Sequence, residues 1–208
     1  MIATRGAEPR LYLGFRKPVD AETLLDCVVN QQTGRLLAEV NVLPARAGQA
    51  ILVPAGVPHA IGEGVFVLEL QEPSDLSVLM EWRDLLPIDG MREGHLGLGF
   101  EVALQAVDRT AWPPDRLRTL SGDRLEGAMA FPKEANPFFR AERIRPEEPV
   151  ELSPSFAILV VLEGQGRLKA EGWSMPVARG DTLLLPYAAG TCRLEGRLSA
   201  VRCLPPVP

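Results

Sequence analysis

The spacing of proline and glycine is the feature that most limits how this chain can fold. Nineteen prolines and 19 glycines occur among 208 residues, and they divide the apolar residues into short runs, most clearly over 36–75. Neither residue suits the interior of a long helix, because proline has no backbone N–H and glycine favours turns. Short apolar runs separated by turn residues are typical of β-sandwiches and barrels. We therefore predict an all-β fold and exclude a helical bundle.

Charge and apolar content exclude several functional classes. The net charge is −5 and no basic stripe occurs, so we expect no nucleic-acid partner. No run approaches the roughly 20 apolar residues that a membrane span requires, so we expect no membrane partner. Cys27, Cys192 and Cys203 are widely spaced, and the first residues lack the apolar region of a secretory signal. We interpret the three as reduced thiols of a cytoplasmic protein.

Two segments predict helices within this strand-rich pattern. The apolar run 11–16 predicts a strand, after which Asp20 is suited to cap a helix over 21–31. The pattern of that helix ends at Gly34, and strands follow. The run 100–107 predicts a second short helix. The sequence therefore predicts a short helical insert in an otherwise β protein.

A proline-rich stretch divides the chain into two strand-rich parts. We predict a partial first lobe over 1–108, a connector over 109–137 and a second lobe over 138–208. The strands predicted for the second lobe are 138–144, 156–162, 167–170, 182–185 and 198–204.

Two similar stretches, one in each lobe, indicate an internal duplication. The first runs from Gly48 to His59 and the second from Gly180 to Cys192. Each has a glycine, then five residues that end in an apolar strand, then a proline followed by small residues. The second copy has no histidine, and Cys192 lies one position beyond the equivalent place. The second lobe is therefore predicted to be degenerate.

The stretch 48–59 has the form Gly-x5-Pro-x-Gly-x2-His, which matches the second motif of the cupin fold at every fixed position. This resemblance implies two cupin-like, jelly-roll β-barrel lobes. A turn of this form aims His59 into the barrel, where an imidazole nitrogen can bind a metal. A buried core histidine held by hydrogen bonds remains the alternative.

The residues that follow resemble class I mannose-6-phosphate isomerases. In that family a PAGxxHAIG turn precedes a strand that ends in E-I-Q and then S-D. The matching letters here are PAG at 54–56, HAIG at 59–62, ELQ at 69–71 and SD at 74–75. The stretch 6–15 also resembles the family's GA-x-LYLGF strand. The resemblance covers most of the chain and is specific over 48–75.

The resemblance implies a zinc-dependent isomerase of sugar phosphates. The family interconverts mannose 6-phosphate and fructose 6-phosphate by moving a proton between C1 and C2 through an enediol. His59 matches the family's last metal ligand, and Glu69 matches a carboxylate that supports the metal or carries the proton. Gln71 and Asp75 are assigned to substrate binding. A salt bridge for Glu69, strand packing for Gln71 and a turn cap for Asp75 remain alternatives.

Two departures from the family pattern concern the chemistry. The chain has no Q-x-H segment, so the family's other metal ligands have no counterpart, whereas catalytic zinc usually has three protein ligands. Leu79 stands where the family has an active-site arginine. Arg83 and Arg92 are candidates to replace it, with solvated surface as the alternative. His95 is interpreted as a loop histidine and is kept as a candidate because the chain has only two histidines.

Three functional hypotheses follow. The first is an active isomerase with a sugar-phosphate substrate and one zinc ion. The second is a non-catalytic cupin that binds a sugar or regulates a pathway. The third is an inactive, truncated remnant, because the first residues resemble the end of the family's E-x-W-Y-x-L strand and we expect the chain to begin partway through the first lobe. An open sheet edge would then favour a homo-oligomer.

Overall fold

A computed structural model describes residues 2–4, 8–72, 76–83, 87–121, 129–146 and 148–207. The chain forms two compact units. The first comprises Met1–Glu69 with Pro73–Ser121, and the second comprises Leu70–Glu72 with Gly122–Pro208. In the described part of the chain, no helix is long and apolar enough to cross a membrane.

The first unit contains two small antiparallel sheets and the helical insert. One sheet has the strand order β3-β2-β4, and in the other β1 pairs with β5. The strands are β1 (Ile2–Thr4), β2 (Arg10–Phe15), β3 (Val40–Pro44), β4 (His59–Ile61) and β5 (Val65–Val67). The helices are α1 (Ala21–Val29), α2 (Thr33–Glu39), α3 (Gly90–Glu93), α4 (Phe100–Ala103) and α5 (Pro114–Thr119), and a 3₁₀ turn over Leu104–Ala106 extends α4.

The start of α1 follows the sequence prediction, and its continuation does not. The Asp20 carboxylate accepts a hydrogen bond from the Thr23 N–H at 2.8 Å, which satisfies one of the free donors of the first turn. Gly34 does not end the helical region, because it lies inside α2. Leu36 of α2 is buried in the core of this unit. Burial of that leucine outweighs the cost of about 1 kcal/mol for a glycine within a helix.

Two of the apolar clusters in the first unit join residues from widely separated parts of the chain. In one, Phe15 and Leu24 pack with Trp82 and Phe100, whose rings stack at a centroid distance of 5.2 Å. The other contains Leu13, Val57, Trp112, Leu117 and Leu120. The residues 109–121, which were assigned to the connector, thus pack within this unit. The lobe boundaries at 108 and 138 stay a prediction.

The second unit is built almost entirely from antiparallel strands. Its sheet has the order β10-β8-β11-β6, with β7 paired to β11 and β9 paired to β8. The strands are β6 (Arg140–Ile144), β7 (Val150–Leu152), β8 (Ala157–Ala170), β9 (Trp173–Ala178), β10 (Thr182–Leu185) and β11 (Cys192–Leu204). Their inward side chains, among them Leu159, Leu168 and Leu194, form one buried cluster. The predicted all-β fold with a short helical insert is confirmed.

Two predicted strands of the second lobe are one strand in the structure. The runs 156–162 and 167–170 both belong to β8, which continues through Gly164 and Gly166. Gly166 lies opposite Gly196 of β11, and a Cβ on either glycine would overlap backbone atoms of the other strand. The glycines are required here for close approach of two strands, so the sequence-based break at 163–166 was wrong.

Candidate functional site

The motif turn places His59 at the first position of β4, opposite Leu13 of β2. Two glycines of the turn have positive φ, Gly48 at +79° and Gly56 at +79°. Gly56 also lies against the chain at Ala106, where an added Cβ would be 2.5 Å from the carbonyl oxygen. The apolar run before the turn forms only a bridge between Ile51 and Ser121, not the predicted strand. Glycine is therefore required by both the conformation and the packing of this turn.

The ring of His59 is oriented by the turn that precedes it. Its Nδ1 lies 3.0 Å from the carbonyl oxygen of Val57, and because a carbonyl only accepts, Nδ1 must carry the proton. The neutral ring then has its lone pair on Nε2, the form that ligates a metal. The side chain is exposed, so His59 is not a packed core histidine. The Val57 carbonyl had no sequence signal, since any residue supplies one.

The other predicted site residues lie beyond the end of β5. The β1–β5 ladder pairs Val67 with Ile2 at its end, so Glu69 and Gln71 are not strand residues and the prediction of one shared strand face was wrong. Both side chains are exposed. Gln71 belongs to the segment grouped with the second unit. Asp75 and its neighbour Ser74 lie outside the described residues.

The described residues do not form a complete zinc site. His59 fits the role of one ligand, because its Nδ1 is held by the Val57 carbonyl and Nε2 is the remaining ring nitrogen. Within the described ranges, however, no three histidine, cysteine, aspartate or glutamate side chains converge on one point. Catalytic zinc usually has three protein ligands. The predicted zinc ion is therefore supported at a single position of the described chain.

Leu79 and the two candidate arginines lie close to the helical insert. The Leu79 N–H donates to the carbonyl of Gly94 at 2.8 Å, which fixes this segment against the turn after α3. The Arg83 N–H donates to Oε1 of Gln31 at 3.0 Å, while its side chain is exposed. Arg92 is also exposed. The geometry leaves both guanidinium groups at the surface, as the alternative interpretation predicts.

His95 holds the loop between α3 and α4. Its Nε2 lies 2.9 Å from the carbonyl of Met91, and its Nδ1 accepts the N–H of Gly99 at 3.0 Å. Its ring meets Phe100 edge-on at a centroid distance of 5.1 Å. Both ring nitrogens are thus occupied by backbone groups, and His95 is the loop histidine that the sequence predicts.

The second copy of the motif has no histidine and a different turn after its proline. Gly180 has φ +95°, where Gly48 has +79°, but Ala188 stands in place of Gly56 and lies in a 3₁₀ turn over Tyr187–Ala189. Cys192 begins β11 and is buried, and burial raises the pKa of its thiol. Burial likewise raises the pKa of Cys203 to about 11. Together with Cys27, these residues are free thiols, as predicted.

The interior of the second unit contains a charged residue that the sequence analysis missed. Arg202 is 4% exposed, and its guanidinium group lies 3.4 Å from the carboxylate of Glu142 and donates to the carbonyl of Ser153. The two charged residues are direct neighbours on β11 and β6. No local motif indicates such a pair, because the residues are separated widely in sequence and meet only through strand register.

Comparisons with known proteins agree with this architecture. A family profile described as "Mannose-6-phosphate isomerase, cupin domain" matches residues 129–205. The chain is 29% identical over 178 residues to mannose-6-phosphate isomerase ManA of Bacillus subtilis, covering 84% of this chain and 54% of the relative. The chain thus spans about half the length of that curated relative.

Solved structures show the same fold at lower identity. A variant of phosphomannose isomerase from Salmonella typhimurium superposes with a TM-score of 0.66 at 17% identity, covering 97% of this chain and 65% of that one. Mannose 6-phosphate isomerase from the same organism, bound to its substrate f6p and to zinc, superposes with a TM-score of 0.62 at 14% identity, covering 97% and 64%.

The antiparallel units and these neighbours show a fold of two cupin-like lobes. Residues 129–205 match the cupin domain of mannose-6-phosphate isomerases, and most of the chain is similar in sequence to a curated mannose-6-phosphate isomerase.

Proposed function

We propose that this chain acts as an aldose–ketose isomerase that interconverts mannose 6-phosphate and fructose 6-phosphate. The observation that carries the proposal is the geometry of His59. Its Nδ1 lies 3.0 Å from the Val57 carbonyl and its side chain is exposed on the motif turn, an arrangement that suits a metal ligand binding through Nε2. The curated relative to which most of the chain aligns is named a mannose-6-phosphate isomerase. We also propose a cytoplasmic location, which the free thiols fit.

In this proposal the chain's own residues supply proton transfer and substrate contacts. Glu69 carries the proton between C1 and C2, since an exposed carboxylate can accept a proton from carbon-bound hydrogen and return it to the neighbouring carbon. Gln71 and Asp75 hold sugar hydroxyl groups, for which amide and carboxylate side chains are suitable partners. His59 would hold one zinc ion through its imidazole.

Metal content tests the role of His59. We expect close to one zinc per wild-type chain after incubation with zinc, and none in His59→Ala. His95→Gln is the matched control, because it alters the chain's other histidine and leaves the motif turn intact. Wild-type protein without zinc, or zinc that persists in His59→Ala, would contradict the assignment.

Isotope exchange tests the role of Glu69. With mannose 6-phosphate in deuterated water, an enediol route incorporates deuterium at the carbon that receives the proton. Glu69→Gln keeps the side-chain shape and removes the base, so we expect exchange and turnover to fall by about a hundredfold or more. Glu63→Gln, at an exposed glutamate in the turn between β4 and β5, serves as the control. Unchanged exchange in Glu69→Gln would remove Glu69 from the mechanism.

A second function, sugar-phosphate binding without catalysis, is favoured by Leu79 and by the incomplete ligand set. Leucine cannot neutralise a phosphate or an enediolate, as the family's arginine does. Calorimetry with fructose 6-phosphate separates the two functions. Binding without isotope exchange in zinc-loaded wild-type protein would support the binding function, whereas exchange that is lost in His59→Ala would support the isomerase.

A further inference from the structure

Strand β10 is an open edge of the second unit. It is paired with β8 on one side, and no other described strand pairs with it. At its start, the Gly180 N–H donates to the carbonyl of Val161, and the Val161 N–H donates to the carbonyl of Asp181, each at 2.9 Å. With φ +95° at Gly180, this is the geometry of a G1 bulge, which fixes how the following strand is oriented.

The bulge determines which backbone groups of β10 face outward. The Asp181 carbonyl points toward β8, and backbone groups alternate in direction along an antiparallel strand. Leu183 and Leu185 therefore direct their N–H and C=O groups to β8, and Thr182 and Leu184 direct theirs to the open side. The outward N–H and C=O groups of Thr182 and Leu184 recur every second residue, as in a paired strand, so the edge can pair with another strand.

An apolar strip on the sheet surface adjoins this edge. Leu184 is 60% exposed and its neighbour Ile158 on β8 is 40% exposed. Phe156 lies just before β8, two residues from Ile158, and is 55% exposed. Tyr187, just after β10, is 71% exposed. Large apolar side chains that are exposed next to one another indicate an interaction surface more strongly than scattered ones do.

We propose that β10 pairs with β10 of a second copy of this chain. The outward groups at Thr182 and Leu184 fit an antiparallel pair whose twofold axis passes Leu183. Thr182 of one copy then faces Leu184 of the other, and the same pair recurs across the axis. Each pair exchanges two hydrogen bonds, which gives about four between the copies. The two apolar strips become one continuous surface, and the interface is isologous, as expected for a homodimer.

The composition of the edge favours a second copy over a charged or unrelated partner. Residues 182–187 contain no charged side chain, so two identical edges approach without repulsion. Arg179 and Asp181 precede the strand, and because the proposed pair is antiparallel they lie at opposite ends of it in the two copies. Pro186 lacks an N–H and limits the pair to this short segment, which makes the association specific and modest.

The test is the mass of the full chain as a function of concentration. We expect sedimentation to show a shift from 22.7 kDa to twice that mass between about 1 and 100 µM, the range in which a small interface associates. At high concentration the amide protons of Thr182 and Leu184 exchange slowly, and on dilution they exchange fast. The amide protons of Leu183 and Leu185 stay protected throughout, because β8 protects them.

Two variants locate the interface. Leu184→Lys places two like charges diagonally across the twofold axis and interrupts the apolar strip. Thr182→Pro removes an outward N–H that β8 does not use. Each variant should weaken the dimer at least tenfold. Leu98→Lys, at a 58% exposed leucine of the first unit, is the matched control and should leave the dimer unchanged. Circular dichroism verifies that the variants fold.

Several outcomes overturn the proposal. Among them are a monomer at every concentration, a dimer that neither edge variant weakens, and a dimer that the control variant alone disrupts. Protection of Thr182 and Leu184 in the monomer would show that the edge is covered by the chain itself and would also reject the proposal.

Discussion

Gln31 connects the end of α1 to the segment that carries Leu79, and its replacement should destabilise the first unit. The side chain is 8% exposed. Its Nε2 donates to the carbonyls of Val28 at 2.8 Å and Met80 at 3.2 Å, and its Oε1 accepts the N–H groups of Trp82 at 2.8 Å and Arg83 at 3.0 Å. One amide thus satisfies four backbone groups of two separate segments.

The cost of Gln31→Met follows from the groups it leaves unpaired. Arg83 is exposed, so its N–H can bind water, and the Val28 carbonyl retains the Gln31 N–H at 3.1 Å. The Trp82 N–H and the Met80 carbonyl also lose their partner, and these two groups are less accessible to water than the Arg83 N–H. An unsatisfied buried group costs about 1–3 kcal/mol, so we expect a loss of about 2–4 kcal/mol. The φ of +50° at position 31 is unfavourable for both side chains and cancels.

Urea unfolding and amide exchange measure this effect. Because the two units can unfold separately, exchange is read at Trp82 and Arg83, whose protection should fall while that of Leu159 in the second unit stays the same. Gln105→Met, at an exposed position, is the control and should change stability by less than about 0.5 kcal/mol. Unchanged protection at Trp82 together with unchanged stability would refute the reasoning.

Three further predictions concern packing and pH. Burial raises the pKa of Asp108, but hydrogen bonds from Thr110 and Trp112 outweigh this and leave the pKa lowered. The ionised Asp108 carboxylate therefore stabilises the folded chain fully at pH values above its pKa in the unfolded chain, about 4. This contribution is lost as the pH falls through the pKa in the folded chain. Gly14→Ala should cost about 2 kcal/mol or more, because φ is +64° and the Cβ would lie 2.5 Å from Trp112 Cγ. Leu159→Ala, at a fully buried position, should cost about 2–5 kcal/mol.

Each of these predictions has a defined check. For Asp108→Asn, the stability difference from wild type is measured by urea unfolding between pH 7 and pH 3, and a difference that grows toward low pH would contradict the sign. Gly34→Ala is the control for Gly14, since nothing lies within 4 Å of its added Cβ; equal costs for the two would contradict the argument. For Leu159, the exposed Leu184→Ala should cost far less.

Much of the fold follows from local sequence, and the exceptions have physical causes. The Asp20 cap and the strand beginning near Leu11 are local properties and were predicted correctly. Gly34 and the glycines of β8 predict turns locally, but contacts with residues distant in sequence keep them within a helix and a strand. Burial of Leu36 in the core stabilises α2. Gly166 is needed because β11 approaches it closely at Gly196. Neither partner is visible in the flanking residues.

The candidate site divides in the same way. The position of His59 on a turn follows from the glycine and proline spacing, and its tautomer depends on a backbone carbonyl that no residue type identifies. Glu69 was expected on a strand because the family that this stretch resembles has a strand that ends in E-I-Q. The described ladder stops at Val67 because its pairing with β1 ends there. The extent of a strand depends on its partner as well as on its own sequence.

The pairing of β11 with β6, β7 and β8 has a consequence for protein synthesis. As the chain leaves the ribosome, β8 can pair with β9 and β10 as they emerge, but β6 and β7 have no partner strand among the described residues until β11 has emerged. Apolar residues of the core, such as Ile144 and Leu152, stay accessible during that interval. Such surfaces are the ones that chaperones bind and that lead to aggregation. The yield of this unit in a cell should therefore depend on the time between synthesis of β6 and synthesis of β11, and slow translation in between should favour misfolding.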